Sequence, residues 1–444
     1  MDKMKKIAES TIETALSHGA DTAEVLLSEA SEFRVTIRNN RIETLKESVS
    51  SNIHIMLSID KKRASASSND LSAESIDKLT KEAVELCKVM EQDKYFSLPD
   101  KGELGAAKIE LRIFDPEILK VPAKRKIQIA RKLEETAHKM DKRIVTDHSS
   151  YSNVTGKVAI ANSLGFCDTY LQSYNAIALS CAAEDNENGK TPGRKQSSFW
   201  YSASTSFDEL DPVDKIAAEA VRRTLRKLGS TKPKTCEVPI VFDPFTSADF
   251  IGSLAGAVSG SSIYKKASFL VGLTGKTIAA PSLTLIDDPL LIGKIGSRPF
   301  DGEGVISRKN IVVEKGVLKT YLMDTYEANK LNSSTTGSAG GISNFYMKPG
   351  IYTEEEIISS IDNGIYVTSL SGQGANWSTG DFSQGAEGLW IENGRITYPV
   401  NGFTIAGTFD QILKNIEMIG NNIEWKSSIA APSFKIKNIV VSGN

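Results

Sequence analysis

The chain has 444 residues, 40% of them hydrophobic and 24% charged, with a net charge of −2. At about 150 residues per domain, that length predicts two or three domains. The near-neutral charge gives no field to gather a polyanion, which argues against direct nucleic-acid binding. No window approaches the roughly 20 apolar residues of a membrane span, and the start, Met1-Asp2-Lys3-Met4-Lys5-Lys6, lacks the apolar core of a signal peptide. Cys87, Cys167, Cys181 and Cys236 are scattered without CxxC spacing, so a reduced, cytoplasmic protein is expected.

Residues 3–18 keep helical spacing and stop at Gly19. Phe33, Val35 and Ile37 then alternate with Arg34, Thr36 and Arg38, the period of a strand. Asn39-Asn40 turns the chain back through residues 41–48, and residues 53–59 form a further strand in which His54 is expected to face solvent. A helix over about 72–91 follows, with Cys87 on its apolar stripe as a small buried thiol. A second round opens with a helix at 122–140 and continues through strands near 157–162, 166–172 and 176–183. It closes with a helix over 212–228, opened by Asp211-Pro212 and stopped by Gly229. Helix, meander, helix thus occurs twice, across residues 1–95 and 120–229, with Pro99-Asp100-Lys101-Gly102 between.

Glycine separates this half from the next: seven of the 33 glycines precede residue 229 and 26 lie from Gly229 onward. Tight turns between short strands need glycine, so the shift marks a change of architecture, with residues 230–234 as the linker. Residues 311–318 and 388–396 read as hairpins, the second through Asn393-Gly394, the strongest short hairpin signal. Residues 434–441 alternate and then turn continuously apolar, as a last strand entering a sheet or barrel does. The expected class is α+β. An N-terminal α/β domain over 1–229 carries the internal helix–β-meander–helix duplication, and a β-rich, barrel-like domain fills 235–444.

His18, His54, His138 and His148 share no spacing that would let two imidazoles reach one ion, and no histidine follows His148. A zincin needs two histidines one helical turn apart and a glutamate to activate water, and a serine triad needs a nearby imidazole. Neither can be built from the second half alone. Asp287-Asp288-Pro289 and Asp301-Gly302-Glu303-Gly304 offer oxygen ligands for a hard cation, yet Asp-Pro and Asp-Gly are first of all turn formers. Residues 337–341 are glycine-rich without the GxxxxGK[ST] form. Gly372-Gln373-Gly374 and Gly380-Asp381-Phe382 read as loops whose backbone approaches something closely.

An ordered series runs through the second half: Gly252-Ser253-Leu254-Ala255-Gly256-Ala257-Val258-Ser259-Gly260, Leu285-Ile286-Asp287-Asp288-Pro289, Phe300-Asp301-Gly302-Glu303-Gly304 and Ser334-Thr335-Thr336-Gly337-Ser338-Ala339-Gly340. It continues with Gly372-Gln373-Gly374, Thr379-Gly380-Asp381-Phe382-Ser383, Glu392-Asn393-Gly394 and Thr404-Ile405-Ala406-Gly407. In this order the series resembles the TldD/PmbA family, and within it the PmbA (TldE) branch, also known as modulators of DNA gyrase. The resemblance covers essentially the whole chain and is weakest over residues 1–225. It implies an α/β first half with an internal repeat and a β-rich second half. TldD members are zinc metallopeptidases with an HExxxH helix and a later cysteine, working as heterodimers with a PmbA/TldE partner.

That HExxxH falls on residues 255–260 of this chain, so the ligand positions hold Ala255 and Gly260 and the glutamate position holds Gly256. The cysteine falls within 426–431, where none exists. No catalytic residue carries over. The resemblance therefore implies a chain that is non-catalytic and zinc-free by itself, with zinc in a TldD-like subunit and a peptide as substrate. A homodimer is open to it when that subunit is absent. Ser338, Gly340, Gly341, Ser343, Gly372, Gln373, Gly374, Gly380 and Asp381 are the expected contacts to peptide or partner. The rival expectations are a protein-binding modulator of gyrase or another partner, and an independent enzyme with a carboxylate-bound metal.

Overall fold

The computed structural model describes residues 2–185 and 194–443. Long strands with apolar residues on alternate positions need a cover, and in the first half four helices supply it. Helix α1 (Lys3–Ser17) leads into strands β1 (Thr22–Arg38), β2 (Arg41–Ile59) and β3 (Lys62–Ser68), and α2 (Ala73–Val89) follows. The second round is α3 (Ala123–Met140), β4 (Ile144–Asn162), β5 (Cys167–Asp185), β6 (Arg194–Ser204) and α4 (Val213–Leu225). The β1 and β4 strands pair antiparallel, Glu24 opposite Asn162 and Ile37 opposite Ser149, so the two meanders fuse into one six-stranded sheet ordered β3-β2-β1-β4-β5-β6.

Val25, Leu27, Phe33, Val35 and Ile37 all lie on one face of β1, as a period of two requires, and all are buried. The first two join the core under α1 and α2, the last three the core under α3 and α4. The opposite face of the sheet meets the second half of the chain: Phe166 and Tyr170 pack edge-on against Phe300, with ring centroids 5.3 and 5.2 Å away.

The sequence expectation for the second meander is wrong in detail. Residues 166–172 and 176–183 are not separate strands but belong to β5 and its lead-in, β4 begins already at Ile144, and the third strand is β6. The polar residues outside the expected strands belong to β4 and β5, with hydroxyls and amides paired inside the fold. Ser149 Oγ donates to the Ala130 carbonyl at 2.7 Å, Tyr151 Oη to Asn175 Oδ1 at 2.9 Å, and Ser173 Oγ to the Thr205 carbonyl at 2.7 Å. Buried polar groups cost little once bonded, so polarity alone does not end a strand.

In the second half, strand Asn363–Ser371 pairs with β7 (Cys236–Phe242), β7 with Phe434–Ser442, that strand with Arg395–Thr408, and that with Asp381–Glu392, which returns to Asn363–Ser371. The circuit closes, and the expected barrel is a five-stranded one. Asn393 and Gly394 turn its hairpin at φ 48° and 74°, the mirror-image turn that suits right-twisted strands. A second sheet of short strands lies beside it and includes Leu285–Asp287, Phe345–Met347 and Ile429–Ala431. Helix α5 (Pro244–Ala257) packs into the core with Phe250, whose ring centroid lies 5.4 to 5.7 Å from those of Phe242, Phe382, Phe409 and Phe434.

The start of α5 ties the halves together. Asp243 Oδ1 accepts the Thr246 amide at 2.7 Å as the N-cap, with Pro244 in the first turn. Its Oδ2 accepts from Arg223 of α4 at 2.8 Å, and the Arg223 guanidinium lies 4.1 Å from the Trp200 ring centre. Both charged groups are buried. Removing one partner of such a pair strands the other, so Arg223→Ala is expected to cost about 3–5 kcal/mol, read as a lower midpoint in urea unfolding.

Candidate functional site

Ala255 and Gly256 lie in the last turn of α5, which ends at Ala257, and Gly260 opens α6 (Gly260–Tyr264). Between them the backbone leaves the helix and pairs with Leu322, whose amide donates to the Val258 carbonyl at 2.9 Å while the Gly260 amide donates to the Leu322 carbonyl at 2.8 Å. Positions 255 and 260 therefore do not sit one turn apart on a single helix. Neighbours also occupy the space. A Cβ on Gly256 would lie 3.0 Å from the Trp377 indole, and one on Gly260 would lie 2.7 Å from Glu327 Oε2.

Trp377 belongs to the 372–381 loop, so the structure brings that candidate loop onto the end of α5. The Trp377 carbonyl accepts the Phe269 amide at 3.0 Å, and Gly380, at φ 85°, packs where a side chain would press on Phe269. Gly374 approaches the Ser383 carbonyl too closely for any Cβ. Gly372, Gln373 and Asp381 are exposed, with Asp381 Oδ2 accepting from Thr379 Oγ1 at 2.6 Å.

The 338–343 loop is pinned by the acidic turns. Asp301 Oδ2 accepts the Ala339 amide at 2.9 Å, and its Oδ1 accepts those of Glu303 and Val305 at 2.9 and 3.0 Å. Asp287 Oδ1 accepts the Ser343 amide at 2.7 Å, and Asp288 Oδ1 the Leu290 amide at 3.0 Å. Ser338 and Ser343 are buried, whereas Gly340 and Gly341 are exposed. These carboxylates brace loops, and among the described residues no group of three or more His, Cys, Asp or Glu side chains is placed to hold a metal ion.

Between the sheet and the second half lies a cavity of 440 Å³ lined by Glu24, Leu26, His54, Arg63, Glu303 and Glu327, among others. Gly340 sits on its wall. His54, expected to face solvent, faces this cavity, with Nδ1 2.8 Å from Ser67 Oγ. Glu303 Oε2 accepts the amide and hydroxyl of Thr325 at 3.0 and 2.6 Å, and Glu327 closes a capping box with Asp324 at the start of α7 (Thr325–Lys330). Burial, reinforced by the neighbouring carboxylates, pushes Glu24 up to about 7, Glu303 to about 8 and Glu327 to about 7. Of the three, only Glu303 was singled out from sequence, as an oxygen ligand for a hard cation, and Glu24 and Glu327 were not. Glu24 sits at an outward position of an alternating strand, where an acid ordinarily means water.

The second half matches the family described as "PmbA/TldA metallopeptidase C-terminal domain" over residues 235–443. Residues 116–228 match its central domain and residues 23–87 its domain 1. The metalloprotease PmbA of Escherichia coli is 31% identical over 100% of this chain and 98% of its own length. The chain belongs to the PmbA/TldD family. The PmbA homologue of Haemophilus influenzae is also 31% identical, over 100% of this chain and 96% of its own. A Bacteroides thetaiotaomicron protein provisionally named a modulator of DNA gyrase has a structure with a TM-score of 0.93, 29% identity and 100% coverage of both chains. TldE of Thermococcus kodakarensis shares the fold, with a TM-score of 0.86 at 23% identity, over 98% of this chain and 100% of its own. Among the described residues, no helix is long and apolar enough to cross a membrane.

Two outcomes follow from this geometry. Installing Ala255→His, Gly256→Glu and Gly260→His together is expected to give no stoichiometric zinc uptake by metal analysis, because the helix ends between positions 255 and 260. The fold raises the cavity carboxyls from an ordinary value near 4.5 to about 7 to 8, so they are protonated in acid and ionise around neutral pH. Their contribution to stability is thus complete below about pH 4.5 and is lost as pH rises through about 7 to 8. Glu24→Gln with Glu303→Gln is expected to flatten the fall in melting temperature between those limits and to raise its value at the alkaline end.

Proposed function

We propose that this chain is the PmbA/TldE-type subunit of a TldD/TldE-type zinc metallopeptidase, assisting cleavage of unfolded or short peptides while a TldD-like partner holds the zinc. What carries the reading is the altered motif: alanine and glycines at 255, 256 and 260, with Trp377 and Glu327 standing where longer side chains would extend. Zinc-assisted hydrolysis needs imidazole ligands and a general base, and alanine and glycine supply neither. Membership of a metallopeptidase family supports a role in proteolysis. A TldD homologue of Buchnera aphidicola, 26% identical over 72% of this chain, supports a related fold in the partner.

The exposed glycines at 340, 341 and 372, with Gln373 and Asp381, form the surface proposed for peptide or partner contact. Extended peptides bind by adding to strand edges, where backbone hydrogen bonds give affinity without sequence preference. Without the partner, the same surface is free for a second copy.

The complex with the cognate TldD-type chain is expected to cleave an unfolded peptide faster than that chain alone, followed by release of peptide termini. Equal rates would sink the reading. The provisional name of the Bacteroides relative favours a second one, direct binding to DNA gyrase. That reading requires gyrase to co-purify with this chain when no TldD-type chain is present.

A further inference from the structure

The cavity between the sheet and the second half has a use that the partner role leaves unassigned. Its 440 Å³ falls in the range of small-molecule sites. One side is apolar, with Leu26, Met56, Ile160 and Phe96. Leu26, though mid-strand, remains 37% exposed because it points into this space. The other side carries four carboxylates, Glu24, Glu303, Asp324 and Glu327.

The facing positive charge is Arg63, which acts on Asp324 and not on Glu24 or Glu303. Its guanidinium lies 4.2 Å from the Tyr326 ring centre and 5.6 Å from that of Phe96, so it occupies the aromatic wall. Glu24 Oε1 is buried and has no hydrogen-bond partner. Most buried side-chain polar atoms are paired, and among the described unpaired ones this is the one that lines the cavity, where a ligand could bring the missing donor. Glu303 uses one oxygen on Thr325, which leaves its other oxygen for the same purpose.

We propose that this cavity binds the primary ammonium of a peptide amino terminus, with the first side chain lying on Leu26, Met56 and Phe96. An ammonium has three diverging donors and suits single oxygens from separate carboxylates, whereas a guanidinium wants both oxygens of one. Asp324 and Glu327 hold the negative potential around it. His54, 2.8 Å from Ser67, closes the β2 side of the cavity. The inference does not rest on the zinc-partner reading, since binding is a property of this chain alone.

Calorimetric titration of the full chain with L-phenylalaninamide and with N-acetyl-L-phenylalaninamide separates the charge from the apolar body. The free amine is expected to bind at least about ten-fold more tightly, the worth of a charge-assisted hydrogen bond. Glu24→Gln with Glu303→Gln is expected to abolish that preference while leaving the acetylated compound unchanged. The isosteric single variant Glu24→Gln, with its melting curve recorded, is expected to weaken amine binding in a chain that is demonstrably folded. Equal binding of the two amides, or no heat from either at millimolar concentration, would overturn the proposal. So would tighter binding of agmatine than of L-phenylalaninamide, which would assign the site to a basic side chain instead.

Discussion

The buried contact between Arg223 and Asp243 holds the rest of the molecule in place. One carboxylate oxygen starts α5, the helix at the centre of the barrel core, and the other takes the guanidinium of a helix from the first half. A buried ion pair stabilises only when its remaining hydrogen-bonding capacity is used. Here it is: Arg223 Nε also bonds Glu219 at 2.8 Å and the guanidinium covers Trp200. Because α5 carries positions 255 and 256, the same contact helps to place these candidate residues.

The same docking creates the acidic cavity. Glu24 comes from the first strand, while Glu303, Asp324 and Glu327 come from turns and a helix some three hundred residues later. Burial is the largest cause of the raised values, and the carboxyls add to it: Asp324 at Glu24, Glu303 and Glu327, and Glu24 at Glu303. A fold selected only for stability would not keep such a group of like charges, since a carboxyl that must stay protonated opposes neutral pH. The cavity is therefore the place where stability is given up, and that is where ligands are commonly met.

Glycine in the second half has two separate explanations. At Gly374 the Ser383 carbonyl leaves no room for a Cβ, and at Gly380 the positive φ and the Phe269 ring each favour its absence. At Gly256 and Gly260 the backbone is ordinary and the missing side chain instead leaves room for Trp377 and Glu327. Two glycines thus shape a loop, and two others make room for side chains that pack against the end of α5.

By itself the sequence determined the element types, the duplicated helix–meander–helix, the hairpin at Asn393-Gly394 and the small residues at 255, 256 and 260. These depend on local periodicity, turn chemistry and residue identity, which neighbours along the chain settle. Only the tertiary structure decided that the polar runs around Ser149 and Ser173 are strand interiors, because their partners, Ala130 and Thr205, lie on other elements. It likewise decided that His54 and Glu24 face a cavity: an alternating strand shows which residues share a face but not what covers that face. The cover is the other half of the chain, and long-range docking leaves no local trace in sequence.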